Sequence, residues 1–182
     1  MEKDIPRWYV MRAYKCEAKA EKILLESGIR YFVPKIYVLR TSLSRGETRK
    51  KKRVLVPAIP GIVFVHASQL AIVQLKKTYN FLQFVTRKIL GVTEYLMVPE
   101  QEMDNFIKVA SHYESSLTYF TPDEIQNEKG IRVRIHGGAF DGVEGTLLKV
   151  KGKRSKRLVV SIENVSAIAI AEISPDLIEI IK

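Results

Sequence analysis

The sequence predicts an α+β chain, in which an N-terminal α/β sandwich of about 110 residues precedes a small five-stranded β-barrel. Through residues 1–114 short apolar strands alternate with segments of helical period. From residue 129 onward the pattern is all-β, with five short strands at regular spacing. Charge divides the same way: residues 1–122 hold 20 Lys/Arg against 11 Asp/Glu, and residues 123–182 hold 10 against 9, within a formal net charge of +10. A basic excess confined to one part of a chain fits a polyanionic partner, most often nucleic acid.

Trp8-Tyr9-Val10-Met11 predicts the first strand, aromatic and β-branched, after Pro6. From Lys15 the period becomes helical, with Cys16, Ala20, Ile23 and Leu24 on an apolar face and Gly28 as the stop. Ile29 to Leu39 is extended, interrupted by Pro34. Strands follow at Val54–Val56 and Gly61–Val65, on either side of Pro57 and Pro60. Ser68 caps a helix with apolar positions at Leu70, Ile72, Val73 and Leu75. Phe81–Val85 and Tyr95–Val98 are short strands. Pro99-Glu100 opens a helix with Met103, Phe106, Ile107 and Ala110 on one face, its acidic first turn matching the macrodipole.

Residues 115–128 contain Pro122 and show no period, which predicts a linker between a domain at 1–114 and another at 129–182. Beyond it the strands Ile131–Ile135, Thr146–Val150, Arg157–Ile162, Ala167–Ile173 and Leu177–Ile181 predict a barrel, since closure hides sheet edges.

Catalysis finds little support. His66, His112 and His136 lie in different elements without metal-ligand spacing, and phosphate-loop and dinucleotide fingerprints are absent. The single cysteine, Cys16, excludes an internal disulfide and reads as core packing rather than a nucleophile. The expectation is a protein without enzymatic activity, cofactor or metal. With no apolar run near the roughly 20 residues that span a bilayer, and no signal peptide, it is expected to be cytoplasmic and monomeric, with no membrane partner.

Three constellations point to binding. Residues 40–53 carry seven cationic side chains against one Glu, including the unbroken run Arg49, Lys50, Lys51, Lys52 and Arg53. Such a run is self-repelling, and phosphates would relieve that repulsion. Residues 54–65, through Pro57, Ile59, Pro60, Gly61, Ile62 and Phe64, read either as a buried strand entered by a proline turn or as a rigid apolar docking face. The third is the stretch 129–146, where Arg132 and Arg134 precede a turn with Gly137, Gly138, Gly142 and Gly145 around Phe140 and Asp141. Its glycines shape the loop, Phe140 plugs the barrel end, and Asp141 and Glu144 are expected to bond the turn's amides. A second basic loop holds Lys151, Lys153, Arg154, Lys156 and Arg157.

That glycine-rich stretch resembles the KOW motif. Together with Trp8-Tyr9-Val10, Phe32-Val33-Pro34, the basic hairpin region and Ile59-Pro60-Gly61-Ile62-Val63-Phe64-Val65, in that order, the chain resembles the NusG family of transcription elongation factors over residues 7–182. The resemblance implies a NusG-type α/β sandwich followed by an SH3-like KOW barrel. It implies docking on the clamp helices of the RNA polymerase β′ subunit, through Arg12, Ile59, Pro60, Ile62, Phe64 and Met97, and a bridge toward the β-subunit gate loop. Lys15, Lys19 and the Arg49–Arg53 run would face DNA or nascent RNA. The KOW unit, with Arg132, Arg134, Gly138, Phe140, Gly142 and Gly145, would engage NusE of the ribosome, Rho or RNA. Ile59 and Ile62 stand where the family has Phe and Tyr, and Thr78-Tyr79-Asn80-Phe81 stands where it often has Thr-Pro-Gly-Val or Thr-Arg-Gly-Val. These departures resemble specialised antiterminators of the RfaH and UpxY type. The competing reading is a KOW-containing RNA-binding protein of the ribosome or its assembly.

Overall fold

The structure is a computed structural model that describes residues 5–42, 50–112, 117–121, 124, 130–149, 156–162, 165–170 and 175–181. In chain order its elements are β1 (Arg7–Arg12), α1 (Glu17–Glu26), β2 (Arg30–Phe32), β3 (Lys35–Ser42), β4 (Lys50–Pro57), β5 (Ile62–Ala67), α2 (Gln69–Thr78), β6 (Gln83–Phe84), β7 (Thr86–Ile89), β8 (Val92–Tyr95), β9 (Met97–Val98) and α3 (Glu100–Ala110). They are followed by β10 (Leu117–Phe120), β11 (Ile131–Ile135), β12 (Glu144–Lys149), β13 (Lys156–Ile162), β14 (Ser166–Ile170) and β15 (Ile178–Ile180).

The first sheet runs β2-β5-β1-β6 and is antiparallel throughout, with β9 also pairing β1. Strand alternation sorts its residues onto two faces. Trp8, Val10 and Phe64 point toward α3, whereas Tyr9, Met11, Val63 and Val65 point the other way, into a cluster with Ala20 and Leu24 of α1 and Ile72 of α2. Fully burying each large apolar side chain contributes roughly 1.5–3 kcal/mol. The helix ends follow local chemistry. Ser68 Oγ accepts from the Ala71 amide at 3.2 Å, as the cap predicts. Glu100 at the start of α3 accepts from Trp8 Nε1 at 3.2 Å and faces Arg30 at 3.6 Å, with Arg30 also lying over the Trp8 ring.

Two hairpins stand apart from the sheets. In the first, β3 and β4 pair along eight positions, from Lys35–Pro57 to Ser42–Lys50. In the second, β7 and β8 turn tightly at Leu90 and Gly91, both with positive φ (48° and 84°). The interruption expected at Pro34 within Ile29–Leu39 is seen, with β2 ending before Pro34 and β3 beginning after it. The β7–β8 hairpin separates the two predicted strands and takes in Tyr95 of the second, leaving Gln83–Phe84 and Met97–Val98 to pair with β1.

The second sheet has the order β10-β14-β13-β12-β11-β15, with every pair antiparallel. Its path is open among the described residues, with β10 and β15 as its ends, where the sequence predicts a closed five-stranded barrel. The extra strand comes from the segment expected as linker. Leu117-Thr118-Tyr119-Phe120 is β-prone, and it pairs with the edge of β14 that would otherwise be exposed.

Helix α3 joins the two sheets. Phe106, fully buried, packs edge-on to Phe32 and tilted on Phe64. On the opposite side Asn105 Oδ1 accepts from the Glu144 amide at 3.3 Å, Lys108 donates to the Asp141 carbonyl, and the His112 ring lies 4.8 Å from that of Phe140. One apolar cluster therefore runs from Trp8 and Val10, through Met103, Phe106, Val109 and Ala110, to Val133, Ile135, Val160 and Ile168.

Candidate macromolecular interface

The loop between β4 and β5 is held at several points. Ala58 N donates to the Pro34 carbonyl at 2.7 Å, Ala13 N to the Gly61 carbonyl at 2.8 Å, and Ile62 N to the Ile59 carbonyl at 3.3 Å. The Gly61 amide donates to Glu17 Oε1 at 2.6 Å, a charge-assisted bond that ties the loop to the start of α1. Gly61 has φ +78°, and a Cβ there would lie 3.4 Å from the Tyr14 Cα. Glycine is therefore favoured by the left-handed backbone, while a Cβ would meet Tyr14 only at ordinary contact distance.

This loop brings four of the six expected docking residues together. Arg12 is the cross-strand partner of Ile62, and strand alternation puts both on the α3 side of the sheet. Ile59 and Ile62 are half-buried against the cluster around α3, while Arg12 and Pro60 are exposed. Phe64 is fully buried beneath them against Phe106 and supports the surface from within. Met97 lies apart: paired with Tyr9, it packs into the cluster on the opposite face.

Of the expected nucleic-acid residues, Lys15 and Lys19 line one cleft, together with Cys16, Glu17, Glu21, Lys35, Leu55 and Pro57. It lies between the start of α1 and the root of the β3–β4 hairpin, which the Lys35–Glu21 ion pair at 2.7 Å fastens to the helix. Lys15 adopts φ +56° and sits 5.2 Å from the ring centroid of the exposed Tyr14. Lys19 sits 5.0 Å from the ring centroid of Phe81, bringing the end of α2 to the same side. Lys51, Lys52 and Arg53 are exposed on β4. Their register against Thr41, Arg40 and Leu39 sends Lys51 and Arg53 to one face of the hairpin and Lys52 to the other. The backbone of Lys50 is in β4, and Arg49 lies outside the described residues.

Cys16 is the N-terminal flanking residue of α1 and is half-buried, rather than a core residue of its apolar face. The helical frame starts at Glu17, and this puts Ala20, Ile23 and Leu24 inward.

On the second sheet Gly137, Gly138 and Gly142 have φ of +84°, +68° and +76°, and the Gly137 amide donates to Asp141 Oδ1 at 2.5 Å, as expected of that turn. Gly145 lies in β12, where a Cβ would come within 2.7 Å of the Val159 carbonyl oxygen. Phe140 reaches α3 through His112 instead of only plugging the end of its own sheet. Glu144 does not bond the turn amides; it holds Arg134 at 2.5 Å and Arg132 at 3.4 Å, and the Arg134 guanidinium is pushed above its usual range by that bond. Both arginines thereby converge on one carboxylate. His136 Nε2 and Glu179 Oε2 are 2.6 Å apart, and the hydrogen bond holds the Glu179 carboxyl below its ordinary value. The second basic loop, Lys151, Lys153, Arg154, Lys156 and Arg157, lies mostly outside the described residues; Arg157 is half-buried on β13.

Sequence reasoning missed Tyr37, whose ring centroid lies 4.4 Å from the Arg53 guanidinium, and Glu17, which anchors Gly61. The alternation of Tyr37 and Leu39 across from Arg53 and Leu55 could have exposed the first; the second depends on a contact between residues 44 apart. Among the described residues no group of three or more His, Cys, Asp or Glu is gathered to hold a metal ion. Among the same residues no helix is long and apolar enough to cross a membrane.

A protein-family model described as "NusG: Transcription termination factor nusG" matches residues 6–107. No curated protein matches the chain. A solved structure described as "Domain interaction in Thermotoga maritima NusG" is similar at 19% identity and a TM-score of 0.42, over 97% of this chain and 98% of that one.

Proposed function

The chain belongs to the NusG family of transcription factors, and from that membership we propose that it is a non-catalytic elongation and antitermination factor that rides on RNA polymerase. Its first sheet docks on the β′ clamp helices through Arg12, Ile59, Pro60 and Ile62, with Phe64 beneath, and bridges toward the β gate loop. Met97, on the other face, stands outside that surface. Binding one clamp conformation more tightly than the other holds the clamp closed and disfavours pausing.

The observation that carries this reading is the fixation of the Ile59–Gly61 loop by Glu17, Ala13 and Pro34, directly beside exposed Arg12. A preorganised apolar surface loses little entropy on docking. The cleft between Lys15, Lys19 and the hairpin root then lies to one side of it, where upstream or non-template DNA or nascent RNA would pass. The second sheet is read as a KOW unit, with residues 1–114 and 129–182 as the two domains, and its partners as NusE, Rho or RNA. Isoleucines at 59 and 62 and the basic β4 strand favour a specialised paralogue of the RfaH and UpxY type.

Transcription by purified bacterial RNA polymerase on a long template with strong pause sites tests the proposal. The protein is expected to raise the yield of full-length RNA, and Arg12→Glu to remove the effect while leaving the fold intact. Equal pausing with and without the wild-type protein would contradict it.

A further inference from the structure

The β7–β8 hairpin forms a two-stranded sheet of its own, and its root is firmly held. Val85 N donates to the Val10 carbonyl at 2.9 Å and Val10 N to the Leu96 carbonyl at 3.0 Å, so both legs leave the first sheet at β1. The Phe84 and Tyr95 rings stack across the root with centroids 4.0 Å apart, and Tyr9 packs edge-on to Phe84. The tip is built differently. Ile89 and Val92 face each other across the strands, and Leu90 and Gly91 make the two-residue turn between them. Leu90 is 99% exposed, Val92 60% and Ile89 38%.

A two-residue turn with positive φ at both positions favours Asn-Gly or Asp-Gly. Leu90 holds φ +48°, a left-handed backbone that disfavours leucine, and it leaves its whole side chain in water. This residue costs stability twice and gains nothing within the isolated fold. A strained, exposed apolar side chain on a braced support is suited to a contact with another molecule. Lys88, exposed on the other face of the hairpin, sets a positive charge beside the tip.

The size of the tip selects the kind of occupant. Three side chains cover far less than the about 800 Å² per partner of a stable complex, so the tip alone cannot hold a second copy of this chain. It can add to a grip made elsewhere. The surface that would supply that grip is on the same sheet, where Arg12 pairs with Gln83 of β6 on one side and with Ile62 on the other.

We propose that Ile89, Leu90 and Val92 form a second point of attachment to RNA polymerase, seated in an apolar socket with an acidic rim, apart from the clamp helices. The inference rests on the proposed function and gives a partner to a hairpin that the proposed docking surface leaves unused.

The test is the affinity of purified bacterial RNA polymerase for the labelled full-length protein, by fluorescence anisotropy, with thermal melting of every variant. Leu90→Asn is expected to raise the melting temperature by a few degrees, because Asn suits the turn, and to weaken polymerase binding roughly tenfold. Leu90→Met, still apolar, should bind within about twofold of the wild type. Lys88→Glu should weaken binding several-fold at low salt and little at high salt. Equal affinity of Leu90→Asn and wild type, with binding lost in Arg12→Glu, would overturn this inference and leave the proposed function standing. Weaker binding accompanied by a lower melting temperature in Leu90→Asn would also overturn it, since Leu90 would then serve the fold. A concentration-dependent dimer that Leu90→Asn abolishes would assign the tip to a second copy instead. No polymerase binding by the folded wild type would overturn both readings.

Discussion

Gly61 is where a single atom matters most. Its φ of +78° costs an L side chain roughly 1–2 kcal/mol, and the Tyr14 backbone stands at van der Waals distance from the missing Cβ. Gly61→Ala is expected to lower stability by about that amount, read as a lower urea midpoint at unchanged m-value; an unchanged midpoint would show that the loop relaxes. Glu17→Ala removes the acceptor of the Gly61 amide, a charge-assisted bond worth roughly 1.5–3 kcal/mol, and should weaken polymerase retention together with stability. The need for glycine in the turns was legible, because clustered glycines imply positive φ. Glu17 was not, since nothing local marks a carboxylate whose partner is in another element. For Glu179 the hydrogen bond from His136 lowers the folded-state pKa. The stabilisation it gives is complete above the carboxyl's unfolded value and is lost as pH falls through the folded one. Glu179→Gln should therefore flatten the loss of stability in that acid range, followed by thermal melting; an identical acid profile would show the pair to be energetically idle.

Among the elements, α3 does the most. Its periodic apolar face, Met103, Phe106 and Ala110, was plain in the sequence, but the pattern could not reveal that Asn105 and Lys108 face a second sheet. A polar residue on a helix reads as solvent-facing unless its partner is known. Phe106→Ala is expected to cost roughly 3–5 kcal/mol, because Phe106 packs on Phe32 and Phe64 and belongs to the cluster shared with the second sheet. Loss of the first sheet's signals with no change in those of the second, by amide exchange, would contradict the shared core. The β3–β4 hairpin was half legible. Its basic run was evident, while its long pairing was hidden because lysine and arginine score poorly as strand formers. Strand β10 was missed for the opposite reason: Leu117–Phe120 is a short β-prone patch inside a segment that Pro122 and the lack of period mark as a linker.

At the scale of the whole molecule, the order of strands and helices and the uneven charge were readable from composition and period. The relation between the two halves was not, because it depends on contacts such as Asn105 with Glu144, 39 residues apart. The same holds for the interface: Ile59 and Ile62 were recognisable by motif, but only the β1–β5 register puts Arg12 beside Ile62 and Met97 on the other face. The central claim is that this surface grips RNA polymerase, and the most direct measurement is retention of purified polymerase by the immobilised full-length protein. Wild type should retain it, while Ile59→Asp/Ile62→Asp and, separately, exposed Arg12→Glu should lose it with thermal melting of the Arg12 variant unchanged. Equal retention by all three proteins, or none by the folded wild type, would contradict the account.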